Sequence, residues 1–118
     1  MSSRAGEFTH RLRLRTTSAE DAIVIRCAGR LTCEHTEQLR EEFMRVLPGT
    51  RRIVLDLSDL RHVDSTGLGS LVRLYVSAKS ANCDLQLVNL SQRVKELLGL
   101  TNLLSMFTAC GQYLTKLP

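Results

Sequence analysis

Apolar and polar residues alternate along the first patterned stretch of the chain. Over residues 8–15, Phe8, Leu12 and Leu14 fall on one side, while the other side carries three arginines. This period of two predicts a half-buried strand, and its charged outer face suits the edge of a sheet. Residues 22–28 are apolar almost throughout, which predicts a second, more buried strand that pairs with the first as a hairpin across a polar turn.

The spacing of the apolar residues then changes. Gly29 is expected to end the second strand, and residues 36–47 carry apolar positions at the helical period until Pro48 and Gly49 end the helix. Residues 52–57 form an apolar run that is too continuous for a surface strand. This run predicts a central strand that is covered on both faces.

The second half of the chain continues the alternation of strand and helix. A short link through Leu60 and Val63 leads to residues 66–79, whose apolar positions form one broad helical stripe. Asn82 is expected to close this helix in the left-handed conformation, because asparagine tolerates positive φ. Residues 84–89 then predict another strand.

The two ends of the chain carry weaker patterns. Ser91 is a good N-cap for a further helix, which Gly99 is expected to stop. Residues 101–107 predict a short helical turn, and residues 108–118 form a weakly patterned tail. Residues 1–7 are polar and expected to be flexible.

The resulting order, ββαβαβα, predicts a single α/β domain over residues 1–118. Strands that alternate with helices imply a mixed or mostly parallel sheet, with helices packed on it and right-handed crossovers. In such sheets, ligands and partners contact the loops at the carboxyl ends of the parallel strands. Residues 29–35 and 62–68 are expected to lie there.

Composition and charge bear on the core and on nucleic-acid binding. Only 4% of the residues are aromatic and tryptophan is absent, so the core is expected to consist of leucine, valine, isoleucine and alanine. The net charge is +4, yet the 16 basic residues are spread along the chain and form no block with interleaved aromatics. We therefore expect no direct contact with nucleic acid.

The four cysteines, Cys27, Cys33, Cys83 and Cys110, form no C-x-x-C pair. Cys33 and His35 alone do not make a metal site, so we expect no metal or cofactor and reduced thiols, some of them in the core. No apolar run approaches the ~18 residues that span a bilayer. The sequence thus predicts a soluble, cytoplasmic protein without a membrane partner.

Ser65 stands where the central strand is expected to be followed by a helix. Its hydroxyl can cap that helix, but the neighbouring Asp64 can fill the same role, so one of the two is left for another purpose. Gly67 and Gly69 cost helix stability, and we interpret them as keeping side chains off a surface that a partner approaches. The residues alone leave two roles open for Ser65, a helix cap and a functional hydroxyl, and they favour the cap.

Ser65 lacks the sequence setting of a catalytic nucleophile. His62 and Asp64 are close in sequence, but residues so near along one strand end do not align a base and an acid behind a serine. Val63 stands two residues before Ser65, so the G-x-S-x-G elbow is absent, and neither G-x-x-x-x-G-K-[ST] nor G-x-G-x-x-G occurs. We therefore expect a protein that is not an enzyme.

Residues 54–69, V-L-D-L-S-D-L-R-H-V-D-S-T-G-L-G, resemble the signature of STAS domains, in particular of bacterial anti-sigma factor antagonists. The D-S-T-G-L-G segment is the most specific part. Residues 29–31 are similar to the first loop of the family, and residues 88–100 are similar to its second half. The resemblance covers most of the chain.

The resemblance implies a small α/β sandwich, with a mixed sheet of four or five strands and helices mainly on one side. It also implies a cytoplasmic regulator of transcription. In the family, the unphosphorylated antagonist binds an anti-sigma factor and thereby frees a sigma factor, whereas the phosphorylated form does not bind. The anti-sigma factor is itself the serine kinase that uses ATP, and a serine phosphatase resets the switch.

The phosphorylated residue of the family is the serine directly after the aspartate. That position is Ser65 here, with Thr66 as second choice. The resemblance further implies a partner-binding surface that combines the first loop with the start of the helix: Gly29, Thr32, Asp64, Ser65, Thr66, Gly67 and Leu68.

The chain departs from the family at one position. An aspartate often follows the first-loop glycine by two or three residues, whereas Thr32 stands here and Glu34 is acidic in a different register. This leaves the alternative of a STAS interaction subunit, as in a stressosome-like complex or beside a transporter ATPase, that binds without phosphorylation of Ser65. No polar cluster supports a small-ligand site, and a monomer or weak homodimer is expected.

Overall fold

The computed structural model describes residues 11–100, and within its last helix the side chains up to Glu96. It contains a four-stranded sheet in the order β1-β2-β3-β4. β1 is antiparallel to β2, while β2, β3 and β4 run parallel. The elements in chain order are β1 (Arg13–Ser18), β2 (Ile23–Leu31), α1 (Thr36–Val46), β3 (Arg52–Val63), α2 (Ser65–Ser80), β4 (Asp84–Val88) and α3 (Gln92–Leu100).

The structure confirms four predictions about the sheet. The sheet is mixed, its first two strands form a hairpin, the first strand lies at the edge, and the third lies in the centre. β3 lies between β2 and β4, and its residues 53–57 are buried on both faces. The sequence pattern predicted this because an apolar run without alternation has no face that can be left in water.

The main hydrophobic core lies between one face of the sheet and the helices. Ile25, Leu55 and Leu87 are neighbours across β2, β3 and β4 and are fully buried. All three helices contribute to the same core, chiefly through Leu39 and Phe43 of α1, Leu71, Leu74 and Ala78 of α2, and Val94 of α3.

The first two strands begin or end later than predicted. β1 starts at Arg13 and continues through Ser18, and the turn closes with a 2.8 Å hydrogen bond from the Ala19 amide to the Ala22 carbonyl. Residues 8–10 lie outside the described part of the chain. The prediction that Gly29 ends β2 was wrong, because the strand accommodates its positive φ of 97° and continues to Leu31.

β3 is also longer than predicted, since the expected link through Leu60 and Val63 is strand. The parallel register with β2 shifts twice, between Arg26 and Ala28 and again between Gly29 and Arg30, and each shift adds a residue to β3. Such bulges break the alternation of inward and outward side chains. The polar residues 58 and 59 lie at the first of these irregularities.

The opposite face of the sheet is organised around the buried carboxylate of Asp56, which is 6% exposed. Its Oδ1 accepts hydrogen bonds from the Ser58 amide at 3.0 Å and from Asn89 Nδ2 at 3.2 Å. Its Oδ2 lies 3.6 Å from Arg26 Nε. Asp56 therefore joins β2, β3 and the end of β4, and these contacts compensate for the cost of burying its charge.

Several smaller predictions can be compared directly. Asn82 has the expected left-handed conformation, with φ of 57°. Cys27 and Cys83 are buried free thiols, and burial raises the pKa of Cys27 to about 12. Among residues 11–100 no helix has both the length and the apolar content to cross a membrane. The predictions for residues 1–7, 101–107 and 108–118, and for Cys110, lie outside the described residues.

Replacing Asp56 by alanine is expected to lower the free energy of unfolding by about 1–3 kcal/mol, because the part-buried hydrogen bonds from the Ser58 amide and Asn89 Nδ2 lose their acceptor. Urea unfolding followed by circular dichroism measures this difference. Asp59→Asn is the matched control, since Asp59 is 61% exposed and 3.8 Å from the same Arg26 Nε. It should cost less than about 0.5 kcal/mol, and equal losses for the two variants would contradict the role given to Asp56.

Candidate functional site

The carboxyl ends of β2 and β3 meet at the start of α2, as the topology predicts. The Asp64 amide donates a 3.3 Å hydrogen bond to the carbonyl of Leu31, the last residue of β2. The loop after β2 and the first turn of α2 are thereby brought together. This edge contains both segments that were expected to form the site, residues 29–35 and 62–68.

Asp64 is the N-cap of α2. Its Oδ1 accepts a 2.7 Å hydrogen bond from the Gly67 amide, and its Oδ2 accepts a 3.1 Å hydrogen bond from the Cys33 amide. The first bond satisfies a backbone donor that the helix cannot satisfy itself. The second fixes the loop between β2 and α1 against α2, so one carboxylate positions both halves of the site.

Because Asp64 caps the helix, Ser65 is not needed for capping. Ser65 is the first residue of α2 and its side chain is exposed, as is that of Thr66. No hydrogen bond of the Ser65 hydroxyl to any residue in the described range is found. Ser70, one turn further along, is different because its hydroxyl donates a 2.7 Å bond to the Gly67 carbonyl.

The interpretation of Gly67 as a residue that clears the outer surface was wrong. Gly67 is buried, and a Cβ atom built there would lie 2.1 Å from the carbonyl oxygen of Leu31 and 3.1 Å from Cγ1 of Val63. Its role is to let the first turn of α2 approach the end of β2. Gly69 is exposed, and a Cβ atom there would meet nothing within 4 Å, so the expected open surface exists at Gly69 alone.

The remaining predicted site residues also differ in burial. Gly29 is buried, and a Cβ atom there would lie 1.9 Å from the Arg11 carbonyl oxygen. Leu68 is 5% exposed and belongs to the core. Thr32 is half-buried, with its hydroxyl 3.4 Å from Nδ1 of His35. Gly29 and Leu68, like Gly67, therefore shape the surface from below.

A pocket of about 670 Å³ lies beside the Asp64 cap. Sequence reasoning did not place Arg11, Arg30 and His35 together: it assigned Arg11 to the outer face of β1 and Arg30 to the loop after β2, and it considered His35 only with Cys33 as a possible metal ligand. The close contact of Gly29 with the backbone of Arg11 brings these strand ends together. The pocket is lined by Arg11, Arg30, Thr32, Cys33, Glu34, His35 and Asp64.

The chemistry of this edge is that of an exposed hydroxyl on a rigid support. Both carboxylate oxygens of Asp64 are occupied by backbone amides, and His62 is exposed on β3. Within residues 11–100, no group of three or more histidine, cysteine, aspartate or glutamate side chains is arranged to hold a metal ion. The geometry presents Ser65 outward, where the active site of another protein can reach it.

Comparison with known proteins identifies the family. The STAS domain model matches residues 13–115, so the chain belongs to the STAS domain family, as the resemblance in residues 54–69 indicated. The chain is 31% identical over 85 residues to a STAS-domain containing protein of Pseudomonas aeruginosa (strain UCBPP-PA14). The matched stretch covers 72% of this chain and 84% of that protein. It is also 31% identical over 84 residues to the anti-sigma-B factor antagonist of Bacillus subtilis (strain 168), covering 71% and 77%.

The fold agrees with solved structures of an anti-sigma factor antagonist. It superposes on the anti-sigma factor antagonist SpoIIAA in its unphosphorylated form with a TM-score of 0.66 at 18% identity, covering 91% of this chain and 89% of that one. The phosphorylated form of SpoIIAA, a Bacillus cell fate determinant, gives a TM-score of 0.67 at 18% identity, covering 91% of each chain. At this identity the likeness concerns the fold, and it confirms the predicted α/β class.

The two glycines of α2 provide a matched test of the helix start. Gly67→Ala is expected to destabilise the protein by at least about 2 kcal/mol, because its methyl group would overlap the Leu31 carbonyl. Gly69→Ala, in the same helix but with free space, should stabilise it by up to about 1 kcal/mol. Chemical denaturation of both variants measures the difference, and a Gly67→Ala protein as stable as Gly69→Ala would show that α2 can move away from β2.

Proposed function

We propose that this protein is an anti-sigma factor antagonist whose binding is switched by phosphorylation of Ser65. The unphosphorylated form binds an anti-sigma factor through the start of α2 and the loop after β2, and a sigma factor is released. The anti-sigma factor, acting as a serine kinase, transfers the γ-phosphoryl group of ATP to the Ser65 oxygen, and the modified antagonist no longer binds. A serine phosphatase restores the hydroxyl, and the antagonist itself catalyses nothing.

One observation carries this proposal: Asp64 supplies the helix cap, which leaves the adjacent Ser65 hydroxyl exposed. The Ser65 side chain is exposed and its hydroxyl makes no hydrogen bond to residues 11–100, so a kinase can reach it and its modification breaks no contact that holds the fold. The similarity to an antagonist of Bacillus subtilis supports the same function.

Electrostatics makes Ser65 a suitable position for a switch. A phosphoryl group adds about −1.5 to −2 charge units, and the amino end of a helix favours a negative charge by about 0.3–1 kcal/mol at an exposed position. The free protein should therefore tolerate the phosphate. In a complex packed over Ser65, the same charge would be buried beside the carboxylate of Asp64, and burying an unpaired anion is strongly unfavourable.

Incubation with the candidate anti-sigma factor kinase and ATP is expected to add one phosphate, detected by intact mass and located on Ser65 by peptide sequencing. Ser65→Ala should abolish the modification, whereas Thr66→Ala should retain it. Ser70→Ala is a further control, because the Ser70 hydroxyl is already bonded to the Gly67 carbonyl.

The outcomes of this experiment separate the candidate functions. Phosphate on Thr66 in the wild-type chain would contradict the assignment of Ser65. A stable complex that forms without any modification would favour the alternative, a STAS subunit that binds its partners without being phosphorylated.

Ser65→Glu is expected to weaken the complex by about a hundredfold or more, because a carboxylate would be buried in the interface. The unfolding temperature should change by less than about 3 °C, since the helix start accommodates negative charge. Calorimetric titration and thermal unfolding measure the two effects. Ser80→Glu is the control at the other end of α2, roughly 22 Å away along the helix, and should bind like the wild type.

A further inference from the structure

The outer edge of β1 is open in the described part of the chain. β1 lies at the end of the sheet and pairs with β2 on one side only. The Leu12 carbonyl, directly before β1, accepts a 3.1 Å hydrogen bond from Gln38 Nε2 of α1. Within residues 11–100, the backbone of Leu14 and Thr16 forms no hydrogen bond beyond the pairing with β2. Such an edge can pair with another extended chain.

The alternation of side chains gives this edge two different faces. Leu14 and Thr16 are half-buried on the side of α1, whereas Arg13 and Arg15 are exposed on the opposite side. On the side of α1, a groove of about 490 Å³ lies along the edge. An added strand therefore has space beside β1. The groove is lined by Leu14, Thr16, Gln38, Glu41, Glu42 and Arg45.

The arginines on the opposite face lack anionic partners. Neither Arg13 nor Arg15 forms an ion pair with another described residue, although Arg26 lies close to the carboxylates of Asp56 and Asp59. Arg15 lies directly opposite Arg26 in the hairpin, and like charges at such positions repel each other. The free sides of Arg13 and Arg15 are therefore suited to acidic side chains. A second groove, of about 310 Å³, is lined here by Arg13, Leu14, Arg15, Arg26, Ala28 and Asp59.

We propose that the edge of β1 binds an extended segment of another protein that carries aspartate or glutamate at every second position. Its acidic residues lie beside Arg13 and Arg15. The residues between them face α1, where Glu41 and Glu42 disfavour further negative charge. A second copy of this chain is less suitable, because pairing two β1 edges would bring their arginines together. Ser65 lines neither groove, so this surface is separate from the phosphorylation switch.

A fluorescent peptide of alternating threonine and glutamate is the probe, and its anisotropy with the full-length protein at low salt measures binding. A peptide with glutamine in place of glutamate should bind roughly tenfold more weakly, because it lacks the charges that pair with the arginines. Combining Arg13→Gln with Arg15→Gln should weaken binding of the glutamate peptide by a similar factor. The matched control combines Arg73→Gln with Arg93→Gln, at exposed positions of α2 and α3, and should change the Kd by less than about threefold.

Methylated peptides separate strand addition from simple attraction of charges, and they need no variant of the protein. In an extended segment, the amides of successive residues point to opposite edges, so only one alternate set can donate to β1. Methyl groups on the nitrogens of that set should weaken binding roughly tenfold, whereas methyl groups on the other set should change the Kd by less than about threefold.

Several results would overturn the proposal. The wild-type protein might bind no glutamate peptide, the two methylated sets could have equal effects, or the two pairs of arginine substitutions could cause equal losses. Vesicles that contain phosphatidylserine provide a further test. If they bind through Arg13 and Arg15 while the peptide does not bind, the arginines serve an anionic membrane surface and the proposed protein segment is wrong.

Discussion

The close contact between the first turn of α2 and the end of β2 is the constraint on which the site depends. It is possible only because Gly67 has no side chain in front of the Leu31 carbonyl. With the helix start held there, the carboxylate of Asp64 reaches both the Gly67 amide and the Cys33 amide. The surface that surrounds Ser65 is therefore fixed by contacts beneath it, and it needs no partner to become ordered.

In this arrangement, buried residues hold the backbone of the site, and different, exposed residues form its surface. The residues that build the site, Gly29, Gly67 and Leu68, are buried, whereas Ser65 and Thr66 are exposed. An interface of this kind keeps its shape when its outer residues change. The side chains of Ser65 and Thr66 can each be altered while the backbone beneath them is held by the same few hydrogen bonds.

The elements of the fold could be predicted from sequence because their hydrophobic periods are strong, and the resemblance in residues 54–69 supplied the family. The lengths of β2 and β3 could not be predicted. Gly29 usually signals a break, and the polar residues Ser58 and Asp59 end the apolar run, yet both strands continue past these positions with shifts in their register. At the site, the sequence favoured Ser65 itself as the helix cap and left Asp64 as the alternative, and the structure assigns the cap to Asp64 and buries Gly67.

The assignment of the cap to Asp64 has a consequence for how such a protein changes over time. Since the cap and the exposed hydroxyl belong to neighbouring but separate residues, Ser65 can be replaced without loss of the helix start. On the function proposed above, one substitution converts a switchable protein into one that is permanently unmodified, and a reverse substitution restores the switch. Regulation and folding stability can therefore be inherited independently, although a single peptide bond joins the two residues responsible.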